Sequence, residues 1–237
     1  MAQENQISAA ERSYRILYRK IISLELKPNE AVGEQMLAEM LSVSRTPVRE
    51  ALSRLSVEGL VDLRARSGVV ISPIRYEAVR TAQYVREKLE MAVIADAAGR
   101  TDKRVLLGIR QAIEEQELAI SEGVAEHFFE ADERMHFMFC GLADREGVWA
   151  VIADAKKHMD RVRRLSVQTG HLDLLLQDHL ALLAAVSEGN AASAQEIMRL
   201  HLRRVMSDLR ELAKRFPDYF EPEIADLEFR DSDSVIA

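Results

Sequence analysis

From Tyr76 to about residue 215 the apolar side chains recur with a helical period, and five short breaks interrupt them. The breaks fall at residues 99–101, near Gly123, at residues 143–144, at residues 169–170 and at residues 189–190. They mark off about six helices, which must bury their stripes against one another as an antiparallel bundle. Ten glycines and five prolines in 237 residues leave few other places to turn. No apolar run approaches the roughly 20 residues that cross a bilayer, so a membrane partner is not expected.

Several of the stripes carry polar residues. After Gly123 the inward set is Phe128, Phe129, Asp132, Met135, His136, Phe139 and Cys140. Asp132 and His136 are four apart and share a face, and an aspartate in such a stripe is costly unless paired or bound to a cation. His179 lies on the stripe before the turn at Gly189, ten residues away, and His201 lies eleven residues beyond Asn190. Antiparallel helices joined there bring the two imidazoles level at about 1.5 Å of rise per residue. Three imidazoles and a carboxylate from three helices suit a divalent transition metal, zinc first, with nickel or manganese also allowed. Cys140, one turn beyond His136, is expected to be a small buried apolar side chain instead. His127, His158 and His171 are read as surface or structural. Arg86 also points inward and needs an anion, either Glu90 or the carboxylate of a small bound molecule. Arg161, Arg163 and Arg164 spread over several faces and are expected in solvent.

The first 75 residues differ. Ser8 and Glu11 have the spacing of a capping box, opening a helix expected over residues 9–25. A turn at Lys27-Pro28-Asn29-Glu30 precedes a second helix over residues 34–41 and a tight connection at Ser42-Val43. In the next helix Val48, Leu52 and Leu55 form a buried stripe, and Arg45 and Arg49 share another face. Ser44 can cap its start, and Pro47 is tolerated in its first turn. Two guanidinium groups beside Thr46 near a helix start suit phosphates and guanine edges in a major groove. Residues 60–63 and 69–71 are β-prone runs around a turn bearing Arg64 and Arg66, expected to form a hairpin wing. The fold class is therefore mainly α: a winged helix-turn-helix (residues 1–75), an all-helical bundle (residues 76–220) and an acidic tail (residues 221–237).

Val43-Ser-Arg-Thr-Pro-Val-Arg-Glu-Ala-Leu-Ser-Arg-Leu with Glu58-Gly-Leu-Val resembles the DNA-binding domain of GntR-type bacterial transcription regulators. The family usually places glycine after the proline of the first turn; asparagine also tolerates left-handed backbone, so the turn should survive. The resemblance implies that Arg45, Thr46 and Arg49 meet base edges and backbone. It implies that Gln35 meets phosphate and that Arg66 and Gly68 lie at the wing tip. Asp132-x-x-x-His136 with His179 and His201 is similar to the FCD effector domain of one GntR subgroup, and Val85–Glu90 resembles its opening helix. In metal-containing members of that subgroup the cation helps to hold a small organic acid.

Charge agrees with a division of labour. Residues 1–76 carry 11 basic against 9 acidic residues and the remainder 21 against 30, so the net −7 divides into +2 and −9. The expected function is a homodimeric, cytoplasmic regulator, most simply a repressor, that reads an inverted-repeat operator in double-stranded DNA. A small carboxylate at the metal site would control it, with Ser72–Tyr76 as the hinge. The alternatives are a metal-dependent hydrolase with an accessory DNA-binding head, and a regulator whose metal is purely structural.

Overall fold

The fold comes from a computed structural model, which describes residues 7–64, 68–167, 170 and 172–222. The first helix, α1 (Ala9–Ile22), is capped by Ser8, whose hydroxyl accepts from the Glu11 amide. The Glu11 carboxylate does not complete the box; it takes Arg15 and Arg54 instead. The helix ends three residues earlier than expected. Leu24 turns into left-handed backbone (φ +65°), and the Leu26 amide donates to Lys20 O. Asn29 is also left-handed (φ +63°), as the turn requires.

Helices α2 (Glu34–Leu41) and α3 (Arg45–Val57) are joined through Ser42, another left-handed residue. Ser44 occupies the cap position of α3, yet its hydroxyl makes no capping bond. Beyond α3, β2 (Val61–Arg64) and β3 (Gly68–Ile71) pair antiparallel with Val61 opposite Ile71 and Arg64 opposite Gly68. A third strand, β1 (Ala31–Val32), adds to the far side of β3, giving the order β1-β3-β2. Two residues are too few to show an alternating pattern, so the hairpin alone was expected. Leu17, Ile21, Leu37, Val48, Leu55 and Leu60 close the core of this part, each almost wholly buried.

The bundle contains seven α-helices among the described residues, one more than expected. They are α4 (Tyr76–Ala97), α5 (Lys103–Glu122), α6 (Ala125–Leu142), α7 (Glu146–Ala155), α8 (Lys157–Ser166), α9 (Leu172–Ser187) and α10 (Ala191–Arg215). The extra break lies at Lys156, where neither glycine nor proline marks it. Its ammonium is buried and pairs with Glu133 and Asp160, so a tertiary contact makes the corner. Gly99 and Gly189, both at positive φ, bring two turns together. A Cβ on Gly99 would sit in ordinary contact, 3.5 Å from the Gly189 Cα, so it is the left-handed backbone (φ +78°) that favours glycine there. A single 3-10 turn (Pro217–Tyr219) then returns the chain to Ile74, whose amide donates to Tyr219 O. Among the described residues no helix is long and apolar enough to cross a membrane.

Helix α8 lies between the N-terminal elements and the rest of the bundle, against α1 on one side and α4 and α10 on the other. Here the expected solvation of the arginines fails. Arg161 is wholly buried and donates to Ser72 O (2.7 Å) and Pro73 O (3.0 Å). Arg163 is buried against Asp132, and Arg164 is half-buried and pairs with Glu126. Arginines tile the faces of α8 because α8 is packed all round, a fact its polar sequence hides. His158 is buried beside Arg161 and Gly59, while His127 is exposed and His171 lies outside the described residues. The expected hinge is buried and bonded: Ser72, Ile74 and Tyr76 are inaccessible, and the Ser72 hydroxyl donates to Gly59 O.

Candidate functional site

Asp132 and His136 sit one turn apart on α6 because the apolar stripe carries them inward; His179 on α9 and His201 on α10 meet them across the bundle. One ligand-type atom from each of the four lies within 4.8 Å of the other three, and all four residues are buried. His179 Nε2 is 3.4 Å from His201 Nε2 and 3.4 Å from Asp132 Oδ1, which is 3.7 Å from His136 Nε2. The level placement of the two histidines about the Gly189 turn is therefore met.

The donor set fits a divalent cation on local grounds. Asp132 Oδ1 and His136 Nε2 are buried and have no hydrogen-bond partner. Two imidazole nitrogens facing each other beside a carboxylate oxygen need a cation or a proton between them. Burial, reinforced by neighbouring His201, pushes His179 well below the usual histidine range, and burial lowers His201 as well. Burial would raise Asp132, but the Arg163 guanidinium beside it holds it well below the usual carboxylate range. Neutral imidazoles and an ionised carboxylate are the forms that bind a metal. Cys140 is buried outside this group, and burial pushes its thiol up to about 12, as an apolar filler would be.

Arg86 resolves into two halves. Its Nε donates to Glu90 Oε1 at 2.6 Å, so the internal acid is a partner. Its Nη2 is buried with no partner. A narrow cleft of about 30 Å³ lies beside it, lined by Arg86, Arg163, His201 and Phe129 among others. Three more residues complete the surroundings, Glu90 expected only as a partner of Arg86, and Gln116 and Arg163 not expected here: Glu90 Oε2 lies 2.6 Å from His136 Nδ1, Gln116 Oε1 lies 2.5 Å from His179 Nδ1, and Arg163 donates to Asp132 Oδ2 at 2.6 Å. Gln116 was detectable as the lone polar residue among Ile109, Ala112, Ile113 and Ala119. Arg163 gave no such signal.

At the other end of the molecule Gln35, Arg45, Thr46 and Arg49 are exposed together. An open cleft between α2, α3 and the strands is lined by Gln35, Arg45, Arg49, Arg64 and Gly68. Glu34 Oε2 accepts from both arginines, from Arg45 Nη2 at 2.8 Å and from Arg49 Nε at 2.7 Å, a residue that sequence reasoning did not single out. Gly68 opens β3 at φ +76°, and Arg66 lies outside the described residues.

Comparison with known proteins bears on both ends. Residues 9–71 match the family model for bacterial regulatory proteins of the gntR family, and residues 83–204 match the FCD domain. The chain is 32% identical over 231 residues to an HTH-type transcriptional regulator in an unstable DNA locus of Streptomyces ambofaciens, covering 97% of either chain. It is 28% identical to the HTH-type transcriptional repressor RspR of Escherichia coli, covering 94% of this chain and 100% of that one. In fold it is similar to E. coli McbR/YncC (TM-score 0.75, 17% identity, 89% of this chain and 100% of that one). A GntR regulator of Rhodococcus is also similar (TM-score 0.69, 20% identity, 81% and 93%).

Proposed function

The chain belongs to the gntR family of bacterial regulatory proteins, in its FCD-bearing branch, and from that premise we propose that it is a ligand-controlled repressor of transcription. Membership places it among regulators and sets the hydrolase alternative aside. In this reading residues 1–75 form the DNA-binding unit, residues 76–220 the effector-binding unit and residues 221–237 a tail. Two copies pair so that their α3 helices meet the two halves of an inverted repeat. Arg45 and Arg49 reach base edges, Thr46 and Gln35 reach backbone, and Arg66 and Gly68 follow the adjacent groove.

The observation that carries the control element is the convergence of Asp132, His136, His179 and His201 within 4.8 Å. These four would hold a divalent metal, zinc first and nickel or manganese next. When bound, the ion supplies a Lewis-acid anchor for a carboxylate oxygen. The free Nη2 of Arg86 offers a second point of attachment for that carboxylate. The repressor named among its relatives supports the sign of the regulation.

The test uses untagged protein, its metal content measured by mass spectrometry and its DNA binding by fluorescence anisotropy. A panel of small carboxylic acids should contain one that raises the melting temperature only with metal present and changes operator affinity. An acid that acts equally after the metal is stripped would overturn the metal-anchored reading.

A further inference from the structure

Each imidazole of the four-residue cluster has its second nitrogen turned toward an acceptor on another part of the bundle. His136 Nδ1 is 2.6 Å from Glu90 Oε2 on α4, and His179 Nδ1 is 2.5 Å from Gln116 Oε1 on α5. His201 Nδ1 is 3.4 Å from Asp178 Oδ2 on α9. The Glu90 and Asp178 contacts are close in distance but off the hydrogen-bond axis, leaving both ring nitrogens formally unpaired. Each of these carboxylates is itself held by an arginine, Glu90 by Arg86 at 2.6 Å and Asp178 by Arg204 at 2.6 Å. Gln116 turns its amide nitrogen onto Met135 Sδ, which leaves its oxygen for the histidine.

We propose that Glu90, Gln116 and Asp178 are positioning residues that hold the three Nδ1–H groups outward and so aim all three Nε2 lone pairs at one metal ion. Arg163 does the same for the fourth ligand by taking Asp132 Oδ2 and leaving Oδ1 inward. The proposal rests on the metal reading above and deepens it. An acceptor on the far nitrogen selects the tautomer, fixes the ring plane and raises the basicity of the coordinating nitrogen. Two of the three acceptors are carboxylates already neutralised by arginines, so the ring adds orientation without leaving uncompensated charge in the bundle. Three helices besides those that carry the ligands, α4, α5 and α8, thus contribute to one binding geometry.

The experiment titrates zinc or cobalt(II) into metal-stripped, full-length protein against a chromophoric chelator. Asp178→Ala and Gln116→Leu are each expected to weaken metal binding by about 10- to 100-fold, with far-UV circular dichroism unchanged. Gln116→Glu keeps an acceptor oxygen and is expected to bind as tightly as the parent or tighter. In parallel, imidazole ¹⁵N shifts should report the Nδ1–H tautomer for His179 and His201 in the parent and its loss in the matching variant. Wild-type protein that takes up no metal overturns both this proposal and the reading beneath it. Parent-like affinity in Asp178→Ala and Gln116→Leu, or an equal loss in Gln116→Glu, overturns the ring alone and leaves the metal site standing.

Discussion

Replacing Arg161 with methionine tests one of the contacts that join the N-terminal elements to the bundle, beside the Lys157–Glu58 pair and the Asn29–Asp218 hydrogen bond. The guanidinium is wholly buried, and among the described residues no carboxylate lies within ion-pair distance of it; its partners are Ser72 O, Pro73 O and the neighbouring His158 Nδ1 at 2.6 Å. Burial presses its pKa down to about 9, with Arg75 adding to the effect, so at neutral pH it stays charged and leans on carbonyl dipoles. Methionine keeps most of the volume and removes both donors. The buried Ser72 carbonyl is then left without this donor, at about 1–3 kcal/mol, while the part-buried Pro73 carbonyl can turn to water. Removing an unpaired buried charge returns part of that, as when a buried ion is exchanged for a well-packed apolar residue.

The orphaned Ser72 carbonyl should win, because it is buried in the packed junction. The net loss is then about 1–2 kcal/mol. In urea unfolding followed by circular dichroism this is a midpoint lowered by about 0.5 M at ordinary slopes. Lysine at the same position keeps the charge but cannot fork to both carbonyls, and should recover less than half of the loss. A methionine variant within 0.5 kcal/mol of the parent (about the spread of neutral surface changes) would show that Ser72 and Pro73 do not depend on the guanidinium.

Arg49→Ala should remove about 1–3 kcal/mol of discrimination between operator and scrambled duplex, measured by anisotropy. Its metal content should stay unchanged; loss of both together contradicts the separation of the two ends. Glu34→Gln frees Arg45 and Arg49 from a shared carboxylate and removes a negative charge from the cleft they line. Non-specific binding should strengthen while the specific-to-non-specific ratio falls, and a uniform gain on every duplex would dismiss Glu34 as an aligner. Burial, with Arg161 and Arg75 nearby, pushes His158 down to about 3. Its folded pKa is below the unfolded value, so the unfolded chain binds the extra proton and stability falls as pH drops below about 6.5. Between pH 7.5 and 5.5 this amounts to about 1.4 kcal/mol, and His158→Gln should flatten the profile by that amount. An unchanged slope would mean that His158 is not buried as a neutral ring. Zinc at a hundredfold excess over its Kd should add about 2.7 kcal/mol of stability, raising the melting temperature by roughly 5–10 °C. Asp132→Asn should abolish that rise, and its persistence would place the ion elsewhere.

What could be read in advance depended on whether a residue's role was local. The α3 stripe and the left-handed Asn29 turn follow from spacing and backbone chemistry, and all appear in place. The convergence of His179 and His201 was also legible, because a single turn fixes the register of the two helices that carry them. Arg161 and Arg163 were not. A helix rich in arginine reads as solvated unless one knows that other elements cover every side of it. The break at Lys156 escaped for the same reason, since its cause lies in Glu133 on α6 and Asp160 on α8. Strand β1 escaped because two residues carry no period, and its pairing exists only because β3 already offers an edge.

Helix α8 gives these misread arginines a common meaning. Arg161 and Arg163 are two residues apart, so they leave the helix about 200° apart and face opposite ways. One holds Asp132 at 2.6 Å and the other holds Ser72 O at 2.7 Å, with no flexible segment between them. A hydrogen bond of that length is lost when the atoms separate by about 1 Å. A shift of α8 by that distance, driven by a change in what Asp132 requires of Arg163, would therefore cost Arg161 its hold on Ser72 O, while the Lys157–Glu58 pair still ties α8 to the end of α3. The shift has an effect on affinity only if the effector binds the released and clamped arrangements unequally. An effector that fills the cleft and leaves α8 where it stands has no leverage on α3 along this route, however tightly it binds.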